Sequence, residues 1–324
     1  MAAGVNYPWR HYGGDLGPTV WGSDHGVRSA TADIATDFAA MRAAGVSIVR
    51  WFLFTDARGG VVLDARGRPG GLHADAVADL DALFALALEA GLAVVPVLFD
   101  HTLAYRAHDA AGARLGGHGD WLADPDAQAR VLDTVVAPLA DRYGEGGVRR
   151  ELRAAIHAWD LLNEPDWVVR EFHPATEVEA AVPFDVLAGW VRDAAATLHA
   201  RDAGLVTIGN ARLRFARAWD QASLGLDFLQ AHAYYDPVND LDALLTSPAA
   251  LGLSRPLVIG ECSAAGDAVD PARGRPSLPL PALSAAFADR GYAGAWAWSW
   301  RGVDAHGALA AHEPADVRAA VDVW

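Results

Sequence analysis

The strongest constraint on how this chain can fold is a recurrence. A short apolar run, a loop and a helical pattern follow one another eight times along the 324 residues. The apolar runs lie near 4–7, 46–54, 92–99, 156–162, 205–209, 227–233, 257–260 and 293–300. They are continuously apolar or rich in β-branched residues, which suits strands buried on both faces of a parallel sheet. Helical patterns separate them. Those at 31–44 and 74–90 stop at Gly45 and Gly91, where a glycine can take the left-handed turn that ends a helix. Another, at 126–143, begins after Pro125 and stops at Gly144; 184–201 follows Pro183, and 281–290 ends before Gly291. Eight such units predict an α/β chain forming one (β/α)8 TIM barrel, a single domain over 1–324. An open doubly wound sheet would want a glycine-rich phosphate turn after its first strand, where this chain has Pro8-Trp9.

Right-handed crossovers place every strand's C-terminal end on one face, the face where barrels carry their sites. Two long loops belong there, 9–30 and 101–123. The first holds Trp9, His11, Tyr12, Trp21, Asp24 and His25. Loops of more than about 12–15 residues in a compact domain are usually functional or disordered.

Composition removes several functions. The net charge of −15 repels polyanions, so no nucleic-acid partner is expected. All 26 basic residues are arginine. Without lysine the chain cannot run Schiff-base, pyridoxal-phosphate or P-loop chemistry, and no cofactor is expected. Cys262 is the single cysteine, so no intramolecular disulfide can form. No apolar run of 18 residues occurs, and no membrane association is expected. The first residues lack the pattern of a secretory leader, which leads to an expected cytoplasmic location, or secretion if a leader has been trimmed. Nothing in the pattern indicates an oligomeric state.

Two of the apolar runs end in glutamate: Ala158-Trp159-Asp160-Leu161-Leu162-Asn163-Glu164-Pro165 in the fourth and Leu257-Val258-Ile259-Gly260-Glu261 in the seventh. Strands four and seven face each other across an eight-stranded barrel, so the two carboxyl groups can converge above its centre. Cleaving a glycosidic bond needs such a pair. One carboxyl protonates the leaving oxygen; in a retaining enzyme the other attacks the anomeric carbon, with the two about 5–5.5 Å apart. Arg50, inside the second strand, could keep Glu261 ionised. Asn163 offers a neutral amide to a sugar hydroxyl. The sixth run ends His232-Ala233-Tyr234, and positions two apart share a strand face, so imidazole and phenol point the same way. The eighth carries Trp296, Trp298 and Trp300 at period two. Trp296 reads as core and Trp298 as a platform for a pyranose ring; Trp300 fits either and is kept as a candidate contact.

Taken together, these residues resemble clan A glycoside hydrolases, family 5 most closely, over nearly the whole chain. The resemblance rests on Arg50, Asn163-Glu164-Pro165, His232-Ala233-Tyr234, Glu261 and Trp298 in this order. It implies a retaining β-glycoside hydrolase with Glu164 as acid/base and Glu261 as nucleophile. It further implies that Asn163 binds the sugar 2-hydroxyl, that Arg50 and Tyr234 support the nucleophile, that His232 lines the −1 subsite and that Trp298 is its floor. His101, at the end of the third strand, is the candidate for the family's histidine there. The eighth strand's ending, Ala297-Trp298-Ser299-Trp300-Arg301-Gly302, is similar to that of family 5 mannanases. The expected substrates are therefore β-mannosides or β-glucosides, as oligosaccharides or polysaccharides, with small oligosaccharides favoured. Arg212 and Arg214 match no family position and read as surface residues, with an acidic or branched sugar as the other reading.

Two further classes stay open: a sugar-binding barrel without catalysis, and a metal-dependent hydrolase. The second lacks a His-x-His pair after the first strand and any His-Glu-x-x-His spacing, so no metal is expected. The acidic stretch 236–242 lacks the calcium-loop spacing and reads as a helix cap. Cys262 should face away from the site, into packing.

Overall fold

The structure, a computed structural model, describes residues 3–22, 26–172, 181–236, 238–266 and 278–324. Asp24, His25 and Pro237 lie outside them. Eight parallel strands close into a barrel: β1 (Gly4–Asn6), β2 (Ile48–Phe52), β3 (Ala93–Asp100), β4 (Ala158–Asn163), β5 (Leu205–Asn210), β6 (Leu229–Ala233), β7 (Leu257–Ser263) and β8 (Ala295–Trp298). Each strand pairs with its sequence neighbours, and β8 pairs back onto β1. All eight expected runs are strands; β8 ends at Trp298, short of the predicted 300.

Outside the barrel lie α1 (Thr31–Ala43), α2 (Ala74–Ala90), α3 (Pro125–Val131), α4 (Ala137–Tyr143), α5 (Phe184–His199), α6 (Leu280–Asp289) and α7 (Pro314–Val321). Gly91 does end α2 in the left-handed region, at φ 70°. The expected helix 126–143 is instead α3 and α4 joined through a π turn, Leu132–Val136. Pro138 explains the interruption: it has no N–H and its ring crowds the preceding turn. After β5 the chain makes only short turns, Leu213–Phe215, Ala216–Trp219 and Ala222–Leu224. No helix in the described residues is long and apolar enough to cross a membrane.

Strand alternation sorts the side chains. In β2, Val49 and Trp51 face the helices and join the outer core, whereas Ile48 and Arg50 face the barrel axis. Inside the barrel, Ile48, Val95, Ala158, Phe228, Val258 and Trp296 form an apolar plug. Trp296, read as core, is 1 % exposed. Asn6, Arg50, Asp160, Thr207 and Gln230 are polar and fully buried, linked by hydrogen bonds. Cys262 is buried in the outer core, as expected.

Candidate active site

Glu164 follows β4 directly, in the left-handed region at φ 52° and ψ 49°. Proline at 165 disfavours the right-handed helical region for the residue before it. Glu164 N–H donates to the Gly209 carbonyl at 2.6 Å, and the Trp167 N–H donates to the Glu164 carbonyl at 3.1 Å. A non-glycine residue in this region is strained, and such strain gathers at functional sites.

Glu261 reaches the same place through a bulge in β7. The β6–β7 register shifts between Ala231 and His232, so that His232 lies opposite Glu261. Gly260 makes the bulge possible, because a Cβ there would sit 2.5 Å from Gln230 Oε1. Asn6 Nδ2 donates to the Gly260 carbonyl at 2.9 Å and so satisfies the displaced backbone.

Arg50 ties the two strand ends together. Its Nη1 donates to Glu261 Oε1 at 2.6 Å and to Asn6 Oδ1 at 3.1 Å; Nη2 donates to Asn163 Oδ1 at 2.6 Å and Nε to Asp160 Oδ2 at 3.0 Å. Gly209 leaves room for this fork, since a Cβ would lie 3.0 Å from Nη2. The Tyr234 hydroxyl donates to Glu261 Oε2 at 2.9 Å, and burial followed by Glu261 holds its pKa well above the ordinary value. Asn163 Nδ2 donates to Asp100 Oδ2 at 2.7 Å.

Glu164 is held from two sides. Trp167 Nε1–H donates to Oε2 at 2.9 Å, and His232 Nδ1 lies 2.8 Å from Oε1. The same His232 nitrogen is 3.5 Å from Glu261 Oε2. Ligand atoms of Glu164, His232 and Glu261 all fall within 4.8 Å of one another. His232, expected to line the −1 subsite, is 1 % exposed, and its Nδ1 bridges the two carboxyls. His101 Nδ1 stands 3.6 Å from Glu164 Oε2 and 3.3 Å from Asp100.

Burial is the largest influence on every acid here and favours its neutral form. Against it, His101, Thr102 and Asn163 hold Asp100 far below the usual carboxylate range. Burial likewise opposes charge on His101, but Asp100, then Glu164 and Asp166, push its pKa up to about 9. Asp166 is pushed up to about 7 by burial and then by Glu164. Glu164, His232 and Glu261 share protons as a unit. Burial raises Glu164, but His232 and His101 outweigh it and pull Glu164 down, while burial and the neighbouring carboxylate raise Glu261 against His232 and Arg50. Burial opposes charge on His232, and Glu261 and then Glu164 raise its pKa against it. Arg50 is charged throughout. With Arg50 and Tyr234 both donating to Glu261, we place the lasting negative charge there.

A cavity of about 280 Å³ opens over the pair. Trp298 and Phe52 line it, rings 6.0 Å apart, with Trp9, Tyr12 and Arg58 beside them. Trp298 is fixed by its N–H to Asp304 Oδ2 at 3.0 Å, and the peptide bond after it is cis. Trp300 does not reach the cavity. It is 5 % exposed and belongs to the outer core, because the strand ends at Trp298 and the period-two expectation ends with it. Arg212, read as a surface residue, is also buried, its guanidinium 4.0 Å from the centre of the Trp167 ring. Arg214 is exposed. The acidic stretch, read as a helix cap, is followed by no helix among the described residues before β7; Asp240 instead accepts the Leu213 and Arg214 N–H groups of the short turn after β5, at 2.8 and 2.9 Å.

Sequence reasoning missed Asp160, Asp100, Asp166 and Trp167. The signal for Asp160 was present, a lone charge inside an apolar strand. Trp167 had none, since the guanidinium stacked on it, Arg212, comes from another strand end.

Glu164, His232 and Glu261 also have the spacing of a metal-binding group. Their chemistry does not fit one well: Glu261 already accepts from a buried guanidinium, and a dication there would face that charge at close range.

This closed barrel, with one glutamate just past β4 and another near the C-terminal end of β7, has the fold of clan A, family 5-like glycoside hydrolases. No family model matches the sequence, and no curated protein matches it. Solved structures do. The β-mannanase of the blue mussel Mytilus edulis superposes with a TM-score of 0.74 at 16 % identity, over 100 % of this chain and 91 % of that one. The endo-1,4-β-mannanase of Eisenia fetida gives 0.74 at 20 %, over 99 % and 91 %. The GH5_18 enzyme of Streptomyces cattleya in complex with Manβ1-4GlcNAc gives 0.61 at 18 %, over 96 % and 79 %.

Proposed function

We propose that the protein is a retaining β-glycoside hydrolase acting on β-mannosides, with β-glucosides as the other candidate. One observation carries this: a carboxylate oxygen of Glu164 and one of Glu261 lie within 4.8 Å of each other beneath one cavity. That is close to the separation of about 5–5.5 Å for double displacement and short of the ~6.5–9.5 Å that leaves room for a water in inversion. Glu261, ionised by Arg50 and Tyr234, attacks the anomeric carbon as Glu164 gives its proton to the leaving oxygen. Glu164 then takes a proton from the water that releases the sugar from Glu261. Trp298 supplies a flat apolar floor. A cavity near the lower bound of small-molecule sites suits one pyranose ring and fits small oligosaccharides. Mannoside is placed first because the superposed structures are named as mannanases and because of the ending of β8.

The test is a screen of p-nitrophenyl β-glycosides and manno- and gluco-oligosaccharides, run in EDTA, with NMR following the first anomer released. The β-anomer should appear first. Glu261→Ala should lose all but a trace of turnover. Glu164→Ala should retain far more activity on a good leaving group than on an oligosaccharide. Release of the α-anomer, or loss of activity in EDTA, would overturn the proposal.

A further inference from the structure

The segment after β5 grips the segment that carries Glu164. Ala211 N–H donates to Asp166 Oδ1 at 2.7 Å, and Arg212 stacks on Trp167. Trp167 in turn donates to Glu164 Oε2, while Asp240 pins the turn that begins beyond Arg212. Arg212 is 5 % exposed, and its Nη1 has no hydrogen-bond partner among the described residues. An unpartnered buried N–H loses about as much free energy as a desolvated cation–π contact gains. The guanidinium is also attracted by the Asp166 and Asp236 carboxylates, and its planar face is turned to the Trp167 ring.

We propose that Arg212 is a positioning residue for Glu164, acting through Trp167. Glu164 has a rotatable carboxyl that must present its proton along one line to the leaving oxygen. His232 fixes Oε1, and Trp167 fixes Oε2. Trp167 holds that direction while its ring is kept from turning, and Arg212, stacked on it beside the His101 ring, supplies the stacking contact. The positioning role deepens the glycosidase reading and rests on it for its consequence in catalysis.

Two measurements test it, one independent of activity. In 15N-tryptophan-labelled protein, the Trp167 indole N–H, assigned by its loss in Trp167→Phe, should titrate with Glu164, and Glu164→Gln should abolish that titration. In Arg212→Ala, and in the milder Arg212→Lys, which keeps the charge without the planar stack, the resonance should move towards exposed indoles and lose its titration. An unchanged resonance in both overturns the proposal. In the kinetic arm, Arg212→Lys should lose roughly tenfold in kcat/KM, which reports the step that forms the glycosyl-enzyme, on an unactivated disaccharide, a fraction of what general acid catalysis contributes. On the matching 2,4-dinitrophenyl glycoside, which needs no proton, the loss should stay under about twofold. Equal losses on both substrates mean a merely structural role and overturn it. If the wild type cleaves neither substrate, the glycosidase reading falls, and the resonance still decides whether Arg212 positions Glu164.

Discussion

Glu261 has two supports of different kinds. Arg50 is a permanent charge; Tyr234 is a neutral donor whose phenol stays protonated. Removing Arg50 would leave Asp160 and Glu261 as buried, uncompensated charges, costing about 3–5 kcal/mol. Tyr234 is the cleaner probe. A hydrogen bond to a charged group contributes about 1.5–3 kcal/mol, roughly tenfold to a hundredfold in rate. Tyr234→Phe should reduce kcat by that factor. Since the lost donor favoured the ionised form, the pKa of Glu261 should rise and, with Glu261 as the proposed nucleophile, the acidic limb of kcat/KM should move to higher pH; a profile that keeps its limb would refute this. The residues legible in the sequence were those whose chemistry is local to one strand: Glu164, Glu261, Arg50 and Tyr234 are polar groups within or just past apolar runs. Arg212 and Trp300 were misread because their surroundings are set elsewhere. Arg212 is buried by a tryptophan from the end of β4, and Trp300 leaves the site because β8 stops two residues before it.

At the scale of elements, all eight strands were legible because a parallel strand covered on both faces has to be apolar throughout. The helix ends were legible where glycine or proline punctuates them. What was hidden depends on small local conflicts. Pro138 opens a π turn inside a pattern that reads as one helix, and the bulge in β7 leaves no mark except a glycine before Glu261. That glycine is testable. Gly260→Ala would bring a Cβ to 2.5 Å from Gln230 Oε1, whose amide nitrogen is held by Asp160 and Thr207. Overpacking of this kind typically destabilises by about 1–3 kcal/mol. Because the displaced strand carries Glu261, activity should fall more steeply than stability. Denaturant midpoints and kcat measured together decide it: a variant with wild-type kcat and a lowered midpoint would show that the bulge does not aim Glu261.

For the whole molecule, the site's electrostatics reach into its stability. Asp37, Asp81 and Asp100 are held low in the fold, so their contribution is present above the ordinary carboxylate range and lost as pH falls through their native values. Asp166 and His101 act in the other direction. Each has a native pKa above its model-peptide value, about 7 against 3.8 and about 9 against 6.5. Stability tied to Asp166 is therefore full below about pH 4 and lost as pH rises towards 7; that tied to His101 is full below 6.5 and lost by about 9. At about 1.4 kcal/mol per pH unit, the losses are on the order of 4 kcal/mol for Asp166 and 3 kcal/mol for His101. Thermal melts should thus show a decline from mildly acidic to alkaline pH beyond what the net charge of −15 produces by self-repulsion. The Asp166→Asn variant isolates the first step, because asparagine can still accept the Ala211 N–H but cannot ionise. It should melt at a higher temperature than the wild type at pH 8 and at nearly the same temperature at pH 4. A variant no more stable than wild type at pH 8 would mean that Asp166 ionises without penalty, and that the burial beside Glu164 is not what governs it.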